Sequence, residues 1–390
     1  MTDIHIFDDI RPFTDEEVPA AMARIVADPA FPALAGYIYP GADLGEIKQK
    51  ILSFTTVRDF QVTVMRAAIR ALLDRTKSTF EYTGIDRLKK DRSYLIVSNH
   101  RDIVLDAMLL QLALVDNGLD TSEITFGANL MSSQIVTDLG KVNKMFRVER
   151  PGLSISSPRD FYRSSLHLSE YIRYVLTEKR QSVWIAQRNG RTKDGIDRTD
   201  PGIIKMFGMS GSGLDKVDSM AQLNIAPIAV SYEWEPCDIL KVLELYQSAR
   251  MSYEKKPGED LNSVITGLLS DKGRICFNIC EPVTRTELEQ FSGMTLNEFR
   301  TAVASLIDRR IIGAYTLSSC NYLAHDLMYG KNEFADRYTP EQKKKFLERA
   351  EQLLKYDTFD LEELRSIFLG IYSNPVDSKL KLGMPLNPVC

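Results

Sequence analysis

The chain has 390 residues, of which 44% are hydrophobic and 26% charged, and its formal net charge is −4. This length allows one large domain with additions or two to three smaller units, and the net negative charge argues against general nucleic-acid binding, which requires a strongly basic surface. The cysteines form no C-x-x-C pair, which favours a reduced, cytosolic setting without a disulfide framework; Cys276 and Cys280 lie in an apolar run and are predicted core thiols rather than metal ligands.

Residues 1–80 are predicted to form a helical N-terminal extension. The first ten residues are acidic and lack the basic and apolar regions of a secretory signal. From Val57 to Thr76 an apolar stripe at helical spacing leaves several arginines on the remaining surface, which predicts an amphipathic helix with a basic side. We favour packing of this helix on the next domain, with its arginines solvated; contact of the arginines with a membrane surface is the alternative, and both could hold for different faces of the helix.

Residues 81–285 alternate short apolar runs with helical stretches. Strands are predicted at 94–98, 123–126, 182–186, 225–231 and 274–278, and helices at 102–116, 158–179 and 258–270. Pro227 places the fourth of these strands at a sheet edge or at a bulge. The alternation predicts an α/β fold with a mixed, largely buried central sheet that is flanked by helices.

Residues 286–390 are predicted to form a helical C-terminal region, because the strand signal fades there. One of its helices begins at Pro340, after the capping residue Thr339. The apolar runs along the chain are too short for a membrane-spanning helix. We therefore expect a cytoplasmic protein whose contact with a membrane, if any, is peripheral and on the inner face of the cell membrane.

The segment S-N-H-R-D-I-V-L-D, residues 98–106, carries the strongest chemical signal. His100 follows a predicted buried strand, and α/β folds place their ligand sites at strand ends. Asp102 and Asp106 lie near the start of the next predicted helix, where either carboxylate could orient the imidazole as a general base for a hydroxyl group. Asp102 could instead cap that helix. The other histidines carry weaker signals, and His325 is predicted to be packed rather than catalytic.

Two basic segments follow. The first, K-V-N-K-M-F-R-V-E-R-P-G at 141–152, contains Arg147 and Arg150, and its alternation around Phe146 predicts an extended piece. The second, W-I-A-Q-R-N-G-R-T-K-D-G at 184–195, gathers basic residues around Gly190 after a strand. The guanidinium group of arginine can donate two parallel hydrogen bonds to a phosphate or a carboxylate. Each segment is therefore a candidate anion site, and a solvated loop is the alternative.

Four segments, in this order, resemble the blocks of the glycerol-phosphate acyltransferase superfamily, which includes lysophosphatidic acid acyltransferases. S-N-H-R-D-I-V-L-D resembles the block N-H-x4-D, M-F-R-V-E-R the block with an aromatic residue and an arginine, R-N-G-R-T-K-D-G the block E-G-T-R or G-G-R-S-R, and I-A-P-I-A-V the block V-P-V. The resemblance covers about residues 90–235, and the layout with helical extensions is similar to a soluble bacterial branch of the superfamily.

The chain departs from the family pattern at two positions. The family spacing would place the aspartate at position 105, which is Leu105 here; Asp106 comes one residue later, and we favour it over Asp102. Asn189 stands where the family has a glutamate. Because asparagine lacks the charge of glutamate, we expect either a change in acceptor binding or a reduced activity.

The resemblance implies transfer of a fatty acyl group from acyl-CoA or acyl-carrier protein to a hydroxyl of glycerol 3-phosphate or a lysophospholipid, a step of phospholipid biosynthesis. It implies no metal and no bound cofactor, and gives His100 the role of general base with Asp106, or alternatively Asp102, as its partner. It assigns the acceptor phosphate to Arg147, Arg150, Arg188, Asn189, Gly190, Arg191 and Lys193.

Two other classes of function stay open. The two departures from the family pattern favour a non-catalytic lipid-binding protein of the same fold. A hydrolase could use the same histidine and aspartate on water, although the chain lacks the G-x-S-x-G motif of many serine hydrolases.

Overall fold

The structure is a computed structural model that describes residues 3–131, 133–149, 157–211, 213–251, 253 and 258–386. Its N-terminal region is helical, as predicted. The helices there are α1 (Val18–Ala27), α2 (Phe31–Ile38), α3 (Leu44–Leu52), α4 (Val57–Phe60) and α5 (Arg66–Arg75), and a π-helical turn, Gln61–Met65, joins the last two.

Strands and helices alternate in the central region, and helices alone follow it. The central elements are β1 (Thr79–Thr83), β2 (Leu95–Ser98), α6 (Leu105–Asp116), β3 (Glu123–Gly127), α7 (Gln134–Val142), β4 (Met145–Val148), α8 (Pro158–Thr177), β5 (Val183–Ala186), α9 (Pro201–Gly208), α10 (Lys216–Ala221), β6 (Ile225–Tyr232), α11 (Asp238–Ser248), α12 (Glu259–Leu269) and β7 (Arg274–Ile279). The C-terminal helices are α13 (Arg285–Glu289), α14 (Leu296–Ala314), α15 (Ser319–Tyr329), α16 (Pro340–Ala350) and α17 (Leu361–Lys381).

Within the described residues, seven strands form one mixed sheet in the order β1-β7-β6-β2-β5-β3-β4. The neighbours β6, β2, β5, β3 and β4 are parallel, whereas β7 is antiparallel to β6 and parallel to β1. The carboxyl ends of β2 to β6 therefore meet at one edge of the sheet, which is where open α/β folds bind their ligands.

Both faces of the sheet are covered by helices, which explains why a central strand such as β5 is apolar at all its positions. Leu95 and Val97 of β2 point to the face that packs on α8, α9 and α14. Ile96, between them, points to the opposite face, against α5 and α6. The predicted fold class, a mixed and largely buried sheet flanked by helices, is confirmed.

Two strand predictions need correction. The predicted strands do not include β1, which straddles the predicted boundary between residues 80 and 81 and alternates exposed with half-buried residues, so that it forms no apolar run. β6 is not an edge strand, since it lies between β7 and β2. Pro227 is tolerated there because it lies opposite the residue that follows β7. Its carbonyl still accepts from the Cys280 N–H at 2.9 Å, and the missing N–H removes only the reciprocal bond at the end of the β6–β7 pairing.

The arginines of the helical stretch 57–75 contact the rest of the protein. Arg66 and Arg70 both pair with Asp116 at the end of α6, at 2.7 and 2.8 Å. Arg75 donates to the Tyr37 carbonyl at 2.6 Å. These contacts show that the helical stretch packs on α6 and α2; contact of its exposed side with a membrane stays a prediction.

The C-terminal helices α15, α16 and α17 share one apolar core with α11 of the central region. Helix α16 begins after Thr339, whose side chain caps it as predicted. In the described part of the chain no helix combines the length and the apolarity that crossing a membrane requires.

Candidate active site

The loop between β2 and α6 places His100 at the carboxyl edge of the sheet. The side-chain amide of its first residue, Asn99, extends the hydrogen bonding of the sheet to β6. Its Nδ2 donates to the Val230 carbonyl at 2.8 Å, and its Oδ1 accepts from the Val230 N–H at 2.7 Å. From the other side, the Thr192 N–H donates to the His100 carbonyl at 2.7 Å. The loop is thus fixed to β6 and to the segment after β5.

The His100 imidazole is oriented by Asp106. Its Nδ1 lies 2.9 Å from Asp106 Oδ2, and the Asp106 side chain is fully buried. An ionised carboxylate can only accept, so beside it Nδ1 is the donor, and in the neutral ring this tautomer leaves the lone pair on Nε2. The same oxygen accepts from the backbone N–H of Arg101 at 2.6 Å and of Asp102 at 3.0 Å. The arrangement suits a general base, a role that stays a prediction.

Asp102 makes different contacts. Its Oδ1 accepts from the N–H groups of Val104 and Leu105, at 2.9 and 2.8 Å, and so closes the turn that starts α6. Its Oδ2 is buried without a hydrogen-bond partner among the described residues and faces Gly267 of α12, where a Cβ atom would lie only 2.2 Å away. Burial raises the pKa of Asp102, the Asp106 carboxylate adds to this, and hydrogen bonds from the helix start oppose it.

The segment after β5 brings two arginines to the same edge. Arg191 is buried, and its Nη1 has no hydrogen-bond partner among the described residues. Arg188 is half-buried. Asn189 is exposed, and Gly190 has a φ of +73°, a conformation that favours glycine. Lys193 is the exception, because its ammonium contacts Glu244.

Helix α17 supports this segment from behind. The Asn374 side chain donates to the Asp194 carbonyl at 2.7 Å. Gly195, with a φ of +79°, lies so close to α17 that a Cβ atom there would meet the Ile371 carbonyl oxygen at 2.2 Å. Of the C-terminal helices, whose role the sequence leaves open, α17 therefore positions the basic segment.

The first basic segment is farther from His100. Arg147 lies on β4, three strands from β2 in the sheet order, which corresponds to roughly 14 Å at the usual strand spacing. Its Nε lies 2.7 Å from Glu149 Oε1. Arg150, the other predicted phosphate ligand of this segment, lies outside the described residues.

Arg101, a residue of this loop, is the centre of a network of buried charged side chains. Arg101, which is completely buried, contacts Asp197 at 2.5 Å and Glu235 at 3.3 Å. Lys241 bridges Glu235, at 2.6 Å, and the Arg101 carbonyl, at 2.9 Å. Burial raises the pKa of Asp197, and the charge of Arg101 opposes this shift. The network ties the residue next to His100 to the segments after β5 and β6.

We expect Arg101→Met to destabilise the protein by about 3–5 kcal/mol, because Asp197 would lose its cationic partner while it stays buried. Urea unfolding would measure the free energy of unfolding. Arg58→Met is the matched control: Arg58 pairs with Asp120 at the surface, and its loss should cost less than about 1 kcal/mol. An equal, small loss in both variants would contradict this account of the network.

Sequence reasoning missed the residues that support the loop. Arg101, Asp197, Glu235 and Lys241 lie in different segments, and no spacing rule connects them. Tyr232, which hydrogen-bonds Asp106, carried a usable signal: it ends a buried strand at the edge where His100 was expected. Among the described residues, no group of three or more His, Cys, Asp or Glu side chains is placed to hold a metal ion.

The central segment is similar to a known protein family. Residues 79–231 match the model of a family described as Acyltransferase. No curated protein gave a significant match. Among solved structures, the chain is similar to the crystal structure of the 1-acyl-sn-glycerophosphate (LPA) acyltransferase PlsC from Thermotoga maritima. The identity is 12%, the match covers 75% of this chain and 93% of that one, and the TM-score is 0.35.

Proposed function

We propose that the acyltransferase domain formed by residues 79–231 transfers a fatty acyl group from a thioester to the hydroxyl of a phosphorylated glycerol or lysophospholipid. The observation that carries the proposal is the hydrogen bond between His100 and Asp106 at the carboxyl edge of the sheet, inside the segment that matches the family. The donor would be acyl-CoA or acyl-carrier protein.

In the proposed reaction, His100 Nε2 takes the proton of the acceptor hydroxyl as its oxygen attacks the thioester carbonyl. Asp106, fixed by the backbone donors of the loop, stabilises the imidazolium that forms. The tetrahedral intermediate expels the thiolate, and the imidazolium returns the proton to it, so an ester and a free thiol are released. General-base assistance of this kind contributes about 10²–10⁴-fold to a rate.

The two arginines after β5 support a phosphorylated acceptor. Arg191 presents a buried N–H donor without a partner among the described residues, and a buried guanidinium is stabilised by an anion that accepts from it. Arg188, which precedes Arg191 in the same segment, is half-buried and makes no hydrogen bond or ion pair with another described residue. Arg147 and Lys193 already have carboxylate partners, so we assign them smaller contributions.

An acyl-transfer assay with purified protein tests the proposal. Labelled acyl-CoA and labelled acyl-carrier protein are each offered with glycerol 3-phosphate, with lysophosphatidate and with a lysolipid that lacks phosphate. We expect labelled ester with a phosphorylated acceptor. Thioester consumption without an acceptor would instead show a hydrolase, and no consumption under any condition would favour the non-catalytic lipid-binding alternative.

We expect Arg191→Met to raise the KM for the phosphorylated acceptor by about 10- to 100-fold, because a hydrogen-bonded charge is lost from its binding site. The same assay measures KM, and kcat should change less. Arg198→Met is the control, since Arg198 is an exposed arginine a few residues along the same segment. Equal KM values in the two variants would remove Arg191 from the phosphate site.

A lysolipid acceptor lies in a membrane, so the proposal includes peripheral contact with a membrane surface. The described helices include none that could cross a membrane. With a lysolipid presented in vesicles, the protein would act on its acceptor from the aqueous side.

A further inference from the structure

Tyr232, the last residue of β6, reaches the loop between β2 and α6 because β6 is longer than β2. Ser98, the last residue of β2, pairs with Ile228, and β6 continues for four more residues. Alternate side chains of a strand share a face, and those of Ile228, Val230 and Tyr232 all join the core on the α6 side of the sheet. The extra length and the alternation together bring the phenol to Asp106.

The two oxygens of Asp106 have separate partners. Oδ1 accepts from the Tyr232 hydroxyl at 2.7 Å, whereas Oδ2 faces the His100 ring and the backbone of the loop. Both side chains are buried. Burial, with the negative charge of Asp106 adding to it, raises the pKa of Tyr232 well above its ordinary value, so the phenol keeps its proton and stays a donor.

We propose that Tyr232 is a positioning residue that sets how strongly Asp106 holds the protonated His100 ring. A hydrogen bond to Oδ1 draws negative charge away from the carboxylate and weakens its attraction for an imidazolium. Without the phenol, Asp106 would hold the imidazolium more strongly, and less of His100 would be free to act as a base near neutral pH. The proposal deepens the acyl-transfer function and rests on it for its kinetic test.

Tyr232→Phe keeps the ring and removes only the hydroxyl. We expect the acid limb of the pH profile of kcat/KM to move up by about one pH unit, so that kcat/KM below the limb falls about tenfold. The plateau at higher pH should stay within about twofold of the wild type, because the unprotonated base is still present there. A purely structural loosening would lower kcat/KM equally at every pH.

Tyr171→Phe is the matched control. The Tyr171 hydroxyl also donates to a buried carboxylate, Glu123 Oε2, at 2.6 Å. Glu123 is the first residue of β3 and so lies at the opposite edge of the sheet from His100. The control should lose stability to a similar degree, as measured by thermal unfolding, while its pH profile stays that of the wild type.

A second readout does not depend on turnover. In an NMR titration that follows the ¹⁵N resonances of the His100 ring, the ring of Tyr232→Phe should take up its proton at a higher pH than in the wild type. An unshifted ring titration, or a loss of kcat/KM that is equal at every pH, would overturn the proposal. A shifted titration in a protein that transfers no acyl group would refute the proposed function and leave the positioning role standing.

Discussion

His100→Ala is expected to abolish measurable acyl transfer, a loss of about 10²–10⁴-fold or more, because the ring is the proposed general base. The methyl group of alanine cannot take the proton of the attacking hydroxyl. The loop should keep its conformation, since Asn99 and the backbone donors to Asp106 hold it without the imidazole. Initial rates with the acceptor found in the wild-type assay measure the loss.

His5→Ala provides the control for the loss of a histidine. His5 is exposed, and its ring lies 3.1 Å from Asp8 near the N-terminus, so its removal should leave the rate unchanged. Circular dichroism and thermal unfolding should show both variants folded. Wild-type rates in a folded His100→Ala protein would eliminate His100 as the base and, with it, the proposed reaction.

Asp106→Asn is expected to lower kcat by about 10²-fold or more, whereas Asp102→Asn should stay within about tenfold of the wild type. An asparagine at 106 can still accept the loop N–H groups, but it has no charge to stabilise the imidazolium. An asparagine at 102 can keep the hydrogen bonds that close the turn before α6. Burial raises the pKa of Asp102, so the loss of its charge is tolerated more easily.

The same assay ranks the two variants, and thermal unfolding shows whether either change acts through the fold. If the larger loss of kcat fell on Asp102→Asn while both proteins remained folded, the partner of His100 would have to be Asp102. The structure gives the contrary expectation, because the His100 ring hydrogen-bonds Asp106.

The strands that the sequence reveals are those buried on both faces. Val183–Ala186 of β5 is a short apolar run between helical patterns, and burial on both faces makes such a run recognisable without any knowledge of its neighbours. β1 has one half-buried face and an edge position, so its five residues form no continuous apolar run. Pro227 misled the prediction because a single sequence does not show where the neighbouring strand ends.

The residues of the candidate site also fall into two groups, those that the local sequence indicates and those whose contacts only the tertiary structure shows. His100, Asp106 and Arg191 could be found because each follows closely after a strand or begins a helix, and chain proximity then predicts spatial proximity. The resemblance assigns Lys193 to the phosphate site, and the structure places its ammonium against Glu244, which lies on α11. No local pattern reports such a pairing.

The amino-acid sequence by itself determined the alternation of strands and helices, the placement of His100 at a strand end and the two aspartates that could serve it, because these follow from local periodicity and spacing. Only the tertiary structure decided between those aspartates as the hydrogen-bond partner of the ring, and only it brought Tyr232 to Asp106 and Arg101 to Asp197. Those contacts depend on strand order and on the relative lengths of β2 and β6. Both are set by the packing of the whole chain.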